Sequence, residues 1–391
     1  MKKNYLLMAA AATMLAACSQ SDFVNEIPES APQAIGFKTV ANKTTRADET
    51  AENSSAKYTW SLADHHDAFT VWGHKLVGTD GINVFNGVKV SYSEGAWSYV
   101  ADGVNLVYWD KGATSYDFYA AAPVKADFWT LNNNSTPNTI GDDYITTASF
   151  TVQPHNAATY LESTDENKTK SFHEVEKAED LMIAAPANVV VAGSDLAQPV
   201  QLNFIHLLSR LNVEVTTSLD GVVIKNITVG NLNSTGEFNE TGKFDPNDET
   251  DTPVDATTLA AGTYERWKLT TGLVNYIAAG GENGVGLSKD QTLIAIEALV
   301  MPQLAAVQEV ALSETSFTDK APYLYVEYTL NGQAYRRAYN LANTFNAENG
   351  LALNEGWQYT LSLSIGATAI KFTANVAEWA DGAPSGSQQI N

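Results

Sequence analysis

Short apolar or alternating runs recur along nearly the whole 391-residue chain, and turn-forming residues separate them about every 8–12 positions. Such runs have the length and composition of β-strands. No window keeps the i, i+3, i+4, i+7 spacing of an amphipathic helix over three turns, and the best helical candidate, Glu162–Asp180, is charged and weakly patterned. The sequence therefore predicts an all-β fold with one or two short helices. Its predicted strands include Phe69–Trp72, Val84–Val90, Trp97–Val100, Tyr116–Ala120, Leu181–Ala184, Val222–Val229, Leu293–Val300 and Leu324–Leu330.

The C-terminal region carries the most regular alternation. One face of a first strand holds Tyr359, Leu361, Leu363 and Ile365. After a break at 366–369, the pattern restarts in a second strand, 370–379, which ends at Trp379 and whose inward face holds Ile370, Phe372, Ala374 and Val376. A slip of one residue would expose every apolar side chain of such a strand, so its register is strongly specified.

The chain divides most naturally just before a long apolar stretch, Val200–Thr216. This stretch exceeds the five or six residues of an average strand, so we expect a kink near His206–Ser209 or two strands that pass between lobes. The polar segment Ala192–Pro199 precedes it. Many short strands without crossover helices favour β-sandwiches over a parallel α/β sheet. We therefore expect two β-sandwich domains in series, 34–198 and 199–391.

Hairpin turns are expected at two dipeptides. Asn86-Gly87 and Asn331-Gly332 have the composition that two-residue β-turns favour.

The N-terminus has the pattern of an export signal. Two lysines, Lys2 and Lys3, precede the apolar stretch Tyr5–Ala17, which is shorter than the ~20 residues of a bilayer span. The chain's one cysteine, Cys18, follows directly, in the manner of a bacterial lipobox. We expect residues 1–17 to be removed, Cys18 to be lipidated, and residues 18–33 to form a tether; the alternative is an ordinary signal peptide that contains a cysteine.

A short strand and a polar loop follow the tether. In the strand Ile35–Thr39, Ile35 and Phe37 share one face. The stretch 41–57 lacks apolar periodicity and contains Arg46, so an exposed loop is predicted there.

The charge of the chain restricts its partners. Its formal net charge is −22, from 45 acidic and 23 basic residues, and loss of Lys2 and Lys3 takes it to −24. Such a field repels nucleic acid and anionic lipid, so we expect no nucleic-acid partner and membrane contact only through the lipid anchor.

The sequence motifs that would indicate catalysis or metal binding are absent or incomplete. The chain has no GxSxG, HExxH or GxGxxG motif, and the loop-like segment 236–243 has one residue too many for a phosphate-binding loop. Residues 64–67 with His74 offer metal ligands, as 245–251 offers oxygens for Ca²⁺, but polar loops explain both. His206 is read as structural. We expect no catalytic residues, no metal and no cofactor, and thus not an enzyme.

Several segments together resemble the fimbrillin family, the lipoprotein precursors of Bacteroidales type V pili. The resemblance covers nearly the whole chain and rests on the lipobox at Cys18 and on segments at 35–47, 82–85, 108–123, 180–185, 202–215 and 356–379. It implies transthyretin-like β-sandwiches, a place on the outer membrane and in the fimbrium, and assembly with other pilin subunits in a homo- or heteropolymer.

The resemblance also implies a maturation pathway. An Arg-specific or trypsin-like protease would cut between Arg46 and Ala47, the strand with Ile35 and Phe37 would leave, and a strand of another subunit would fill the groove. The donor would be 370–379, although the short tail after Trp379 leaves open whether this strand is donated or stays in its own sheet.

A second reading is a surface lipoprotein that does not polymerise and binds a glycan or host protein. It requires exposed aromatic side chains, for which the chain offers Trp109, Trp129 and Trp267, although core packing is the default for each.

Overall fold

The regular structure of the protein is almost entirely β. The computed structural model describes residues 32–41, 62–64, 66–100, 103–132, 143–153, 156–157, 169–171, 179–241, 266–281, 283–289, 291–305, 321–342, 351–366, 370–378 and 388–390. Within these ranges lie 24 strands, the 3₁₀ turn Leu62–Asp64, and a few further helical residues at Val100 and at 341–342. The all-β prediction is therefore confirmed, while the number of sandwich domains and their limits stay a prediction.

The strands of the N-terminal half are short to medium in length. They are β1 Phe37–Ala41, β2 Ala68–Val77, β3 Asp80–Ser93, β4 Ala96–Ser98, β5 Ser115–Ala122, β6 Trp129–Asn132, β7 Tyr144–Thr147, β8 Phe150–Thr151, β9 Asn156–Ala157, β10 Thr169–Ser171, β11 Met182–Val190 and β12 Val200–His206.

The strands of the second half include the longest, Val222–Phe238, with 17 residues. They are β13 Ser209–Thr217, β14 Val222–Phe238, β15 Trp267–Ala279, β16 Val285–Leu287, β17 Thr292–Val300, β18 Gln303–Ala305, β19 Tyr323–Leu330, β20 Gln333–Asn340, β21 Leu351–Leu353, β22 Trp357–Ile365, β23 Ile370–Glu378 and β24 Gln388–Ile390.

Three large sheets hold most of these strands. The first has the order β1-β12-β11-β5-β2-β3-β4, the second β10-β17-β13-β22-β23-β24, and the third β20-β19-β14-β15-β9, with β8 and β16 also paired to β14. Two small sheets, β18-β21 and β6-β7, complete the described strands. Each strand expected from the sequence overlaps a strand of these sheets, but the one at Trp97–Val100 is predicted too far along the chain, since β4 ends at Ser98.

Buried apolar side chains form three clusters. One lies on the face of the first sheet that carries Phe69, Tyr116 and Phe118, and a second lies between the second and third sheets. The third contains side chains from the opposite face of the first sheet, including Tyr119, together with Trp267 and Met301. Alternate residues of β5 thus enter different clusters, as the two-residue period of a strand requires.

The long apolar stretch 200–216 breaks where a break was expected. β12 ends at His206 in the first sheet, and β13 begins at Ser209 in the second. The prediction of two strands is confirmed, and they lie in different sheets; that they pass between two lobes stays a prediction.

One turn was predicted correctly and one was not. Asn331 and Gly332 connect β19 to β20 with φ of 51° and 82°, the left-handed values that such a turn needs. Asn86-Gly87 instead lies inside β3, where Gly87 has φ of 65° close to register shifts in the β2–β3 pairing. The β2–β3 turn is at Gly78.

The segment Glu162–Asp180, the best helical candidate, shows no helix where it is described: Thr169–Ser171 is a strand, and Glu179 and Asp180 have no regular structure. Thr169–Ser171 pairs in parallel with β17. Among the described residues, no helix is long and apolar enough to cross a bilayer.

Candidate functional site

The N-terminal strand lies at an edge of the first sheet. β1 pairs in parallel with β12, from Phe37 opposite Val200 to Ala41 opposite Phe204. Its five residues are preceded by a bridge between Ala34 and Tyr108. A short strand held by one ladder at an edge can leave without breaking up the strands behind it.

Phe37 anchors this strand in an aromatic socket. Its ring centroid lies 6.2, 5.4, 6.3 and 5.7 Å from those of Phe69, Phe85, Tyr99 and Phe118, in edge-to-face arrangements. The side chain is 6% exposed. Burial of a Phe side chain stabilises by about 1.5–3 kcal/mol, and favourable aromatic geometry adds to this.

Ile35 supplies a second anchor just before the strand. It is 1% exposed; its amide donates to the Val107 carbonyl at 2.8 Å, and its carbonyl accepts from the Tyr99 hydroxyl at 2.8 Å. Burial raises the pKa of Tyr99, so its hydroxyl keeps its proton at neutral pH. Thr39 is the third buried side chain on this face.

These contacts define what we call the β1 slot: the edge of β12, the aromatic socket and the Val107 carbonyl. Ile35, Phe37 and Thr39 fill it at i, i+2 and i+4, as the two-residue period of a strand requires. Lys38, on the other face, is exposed. The slot without β1 would present unpaired backbone groups beside an open apolar socket.

The predicted donor strand lies in its own sheet in this structure. β23 pairs antiparallel with β22 over nine residues, from Ile370 opposite Ile365 to Glu378 opposite Trp357, and β24 pairs with its far edge. Val376 is opposite Tyr359 in this ladder.

The inward side chains of β23 differ in burial. Ala374 is buried, whereas Ile370 and Phe372 are half-buried. The Phe372 ring stacks on Tyr339 of β20, with centroids 5.3 Å apart and an interplanar angle of 17°. Phe372 therefore connects β23, near one edge of the second sheet, with β20, at an edge of the third sheet.

The remaining predicted site residues lie outside the described part of the chain. These are Cys18, Arg46, Ala47 and Trp379. The lipid site, the cleavage site and the end of the donor strand stay predictions.

The three tryptophans considered for ligand stacking are buried. Trp109, Trp129 and Trp267 are 7, 8 and 0% exposed. Trp129 donates its indole N–H to the Pro123 carbonyl at 2.8 Å, and Trp267 donates to the Leu207 carbonyl at 3.1 Å. The prediction that these side chains form an exposed platform for stacking on a ligand is therefore wrong. They pack in the core.

Buried polar groups form pairs that join segments of the chain. His206 Nδ1 lies 2.7 Å from Asp180 Oδ2, as expected for a structural histidine at the end of β12. Arg266 lies 3.1 Å from Glu355, with both side chains buried. Loss of one member of such a pair would leave a charge buried, which is strongly destabilising.

A buried carboxyl in β5 escaped the sequence reasoning. Asp117 accepts a hydrogen bond from the Asn188 amide at 2.8 Å, and burial raises its pKa to about 6. The hydrogen bond from Asn188 lowers the pKa against this burial effect, and the charge of Asp143, which lies 2.9 Å from His74, contributes to raising it. The sequence feature that could have indicated this buried carboxyl is the single acidic residue within the mostly apolar and aromatic run Ser115–Ala122.

Metal ligands do not converge in the described ranges, where no group of three or more His, Cys, Asp or Glu side chains could hold an ion. The acidic segment 245–251 is outside those ranges. Among the described residues, the arrangement best suited to binding is the β1 slot, which holds a strand.

Comparison with known proteins gives a family. The model of the fimbrillin-like family matches residues 45–379 of this chain. The chain belongs to the fimbrillin-like family. This membership supports a role in pili or adhesion at the cell surface, and that of a structural, non-enzymatic protein.

Solved structures with similarity to this fimbrillin-like chain include three Bacteroides proteins. A fimbrial protein from Bacteroides vulgatus ATCC 8482 is 14% identical with a TM-score of 0.44, covering 89% of this chain and 100% of its own. A candidate cell adhesion protein from Bacteroides uniformis ATCC 8492 is 16% identical with a TM-score of 0.42, at 89% and 98% coverage. Another from Bacteroides ovatus ATCC 8483 is 14% identical with a TM-score of 0.42, at 90% and 100% coverage. No curated protein matches the chain.

Proposed function

We propose that this protein is a fimbrial subunit that polymerises by strand exchange after proteolysis. It is exported as a lipoprotein through Cys18, reaches the outer membrane and is cut between Arg46 and Ala47 by an Arg-specific protease. The observation that carries the proposal is β1, a short edge strand at the N-terminus, five residues before Arg46, whose side chains fill a deep apolar slot.

The covalent link is expected to keep the uncut subunit from polymerising. While β1 belongs to the same chain, its effective concentration at the slot is in the millimolar range. A strand of another subunit at micromolar concentration cannot compete with it. A cut at Arg46 removes this advantage, because the released strand dilutes into solution.

The bared slot then favours a strand from another subunit. The free edge of β12 supplies backbone groups for β-augmentation, and the aromatic socket supplies specificity for an apolar side chain. Each buried large side chain contributes about 1.5–3 kcal/mol, and each ladder hydrogen bond about 0.5–1.5 kcal/mol. The proposed donor strand is 370–379. It must separate from β22 of its own subunit before it can enter the slot of another.

The partners follow from this cycle. They are other pilin subunits, identical or different, and the maturation protease; the lipid supplies the membrane contact. A ligand-binding lipoprotein that does not polymerise is the alternative, and the burial of Trp109, Trp129 and Trp267 removes the platform on which it relied.

N-terminal sequencing of protein recovered from the cell surface tests this proposal. Subunits in fibres are expected to begin at Ala47. An Arg46→Gln variant serves as the control and should keep the uncut N-terminus. Recovery of wild-type protein only with a blocked start at Cys18 would contradict the proposal, because β1 would then stay attached.

A further inference from the structure

Two segments at opposite ends of the chain share one side-chain pattern. The N-terminal segment reads Ile35-Gly36-Phe37-Lys38-Thr39, and β23 begins Ile370-Lys371-Phe372-Thr373-Ala374. Each places isoleucine, phenylalanine and a small residue at i, i+2 and i+4, on one face of a strand. The inward face of β23 therefore matches, in order and in size, the side chains that fill the β1 slot.

The slot packs these side chains more completely than the sheet of β23 does. Ile35 and Phe37 are buried, whereas Ile370 and Phe372 are only half-buried. Four rings surround Phe37 in the socket, whereas Phe372 packs at the margin of the cluster between the second and third sheets and stacks on one ring, that of Tyr339. The bared edge of β22 can be hydrated, but an emptied aromatic socket cannot recover its lost contacts from water.

We propose that β23 of a second copy enters the slot parallel to β12 and in the register of β1, with Ile370, Phe372 and Ala374 in the places of Ile35, Phe37 and Thr39. This inference rests on the proposed strand exchange and adds to it the direction and register of the joint. In the joint, Phe372 exchanges its stack on Tyr339 for the socket.

Other registers fit the slot less well. A slip of two residues keeps the same face inward but puts Ala374 or Ile370 in the socket, which leaves part of it empty or without an aromatic ring. A slip of one residue turns the other face inward, and Lys371 or Thr373 would then enter an apolar site. An antiparallel strand reverses the order of isoleucine and the small residue.

The parallel register makes specific residue pairs neighbours. Lys38 is opposite Gln201 in the β1–β12 ladder, so Thr373 of the donor takes that place. Two residues further, Val40 is opposite Asn203, and Asn375 takes its place. Cysteines at directly opposed positions have Cα atoms within the ~4.4–6.8 Å that a disulfide spans, whereas positions displaced by two residues are too far apart.

Cysteine cross-linking between two variants of the full chain tests the register. Both carry Cys18→Ser, which removes the one native thiol. An acceptor with Gln201→Cys is cut with an Arg-specific protease, mixed with a donor that carries Thr373→Cys, oxidised and run on a denaturing gel without reductant. The expected result is a shift of the acceptor band to a cross-linked dimer, which reductant reverses.

Matched variants separate this register from its rivals. With the Gln201→Cys acceptor, donors carrying Lys371→Cys or Asn375→Cys report slips of two residues and should stay monomeric on the gel. With an Asn203→Cys acceptor, Asn375→Cys should cross-link if the strands are parallel. An antiparallel strand that keeps Phe372 in the socket would instead place Lys371 opposite Gln201, so that Lys371→Cys would cross-link to Gln201→Cys and Asn375→Cys would not cross-link to Asn203→Cys. Stronger cross-linking by a slipped or antiparallel pair overturns the inference.

The same samples distinguish a wrong register from a wrong function. Polymers without any cross-link at the matched pairs overturn the register and leave strand exchange standing. A cut acceptor that forms no polymer overturns strand exchange itself, and the register with it.

Discussion

At the scale of single residues, the aromatic socket and Asp117 lie on opposite faces of the same strand. Phe118 of β5 belongs to the socket around Phe37, whereas Asp117 turns toward Asn188 and the other face. The sequence indicates alternation in β5 but not which acid would be buried. Burial depends on strands that come from elsewhere in the chain.

Asp117→Asn is expected to stabilise the protein at pH 8 and to change little at pH 3.5. The folded state raises the pKa of Asp117 from 3.8 to about 6, so it holds the proton more tightly than the unfolded chain. Stability is therefore lost as pH rises from 4 to 6, and the loss is complete above that window, at about 3 kcal/mol. The variant keeps the oxygen that accepts from Asn188 and removes the buried charge.

Urea unfolding at the two pH values measures this difference. Asp67→Asn, at an exposed position, is the control and should show no gain at pH 8. A loss of stability at pH 8 in Asp117→Asn would contradict the account, because it would mean that the carboxylate stabilises the fold.

At the scale of elements, the sequence predicts strands well and their partners poorly. The alternation at Tyr359–Ile365 and from Ile370 onward matches β22 and β23, and the excess length of 200–216 predicts the break between β12 and β13. Nothing in local periodicity indicates that β1 pairs with β12, because the paired residues are more than 150 positions apart. Local periodicity also gives no indication that β8 pairs with β14 or that β9 pairs with β15.

Local composition also misled at two kinds of position. Asn86-Gly87 has turn chemistry but lies within β3, where the paired strands shift register instead of turning back. The second is Arg266; the indole of Trp267 beside it is buried, as the default of core packing has it. Arg266 is itself buried over the Phe238 ring and beside Glu355, so charge in the sequence did not indicate exposure.

Phe372→Asp is expected to block donation by β23 while the subunit keeps its ability to accept a strand. A charge cannot enter the aromatic socket without a large desolvation cost. Thr373→Asp adds the same charge on the other face of the strand and should assemble as wild type does. Gel analysis of protease-treated protein without heating would show monomers for the first variant and a ladder for the second.

Deletion of residues 367–391 should act in the same way. β22 still pairs with β13 over eight residues, so the lobe is expected to stay folded and to end a growing fibre. Loss of cooperative melting in both the deletion and Phe372→Asp would show instead that β23 is an essential part of its own sheet.

At the scale of the whole molecule, the two segments of the proposed strand exchange lie at or near the edges of two different sheets. β1 closes the first sheet at its edge, and β23 and β24 close the second. The strand that would leave and the strand that would be donated are both short segments. The proposed exchange therefore leaves most of the three apolar clusters unchanged. The net charge of −22 opposes non-specific association of the subunits in solution.

The most direct measurement is polymerisation after a defined cut. Purified protein is treated with an Arg-specific protease, cleavage after Arg46 is verified by mass, and the sample is run on an SDS gel without heating. Wild type is expected to give a ladder of SDS-resistant multimers that heating collapses, and Arg46→Gln to remain a monomer. A verified cut that leaves wild type monomeric, or a ladder from the uncut Arg46→Gln variant, would contradict the account.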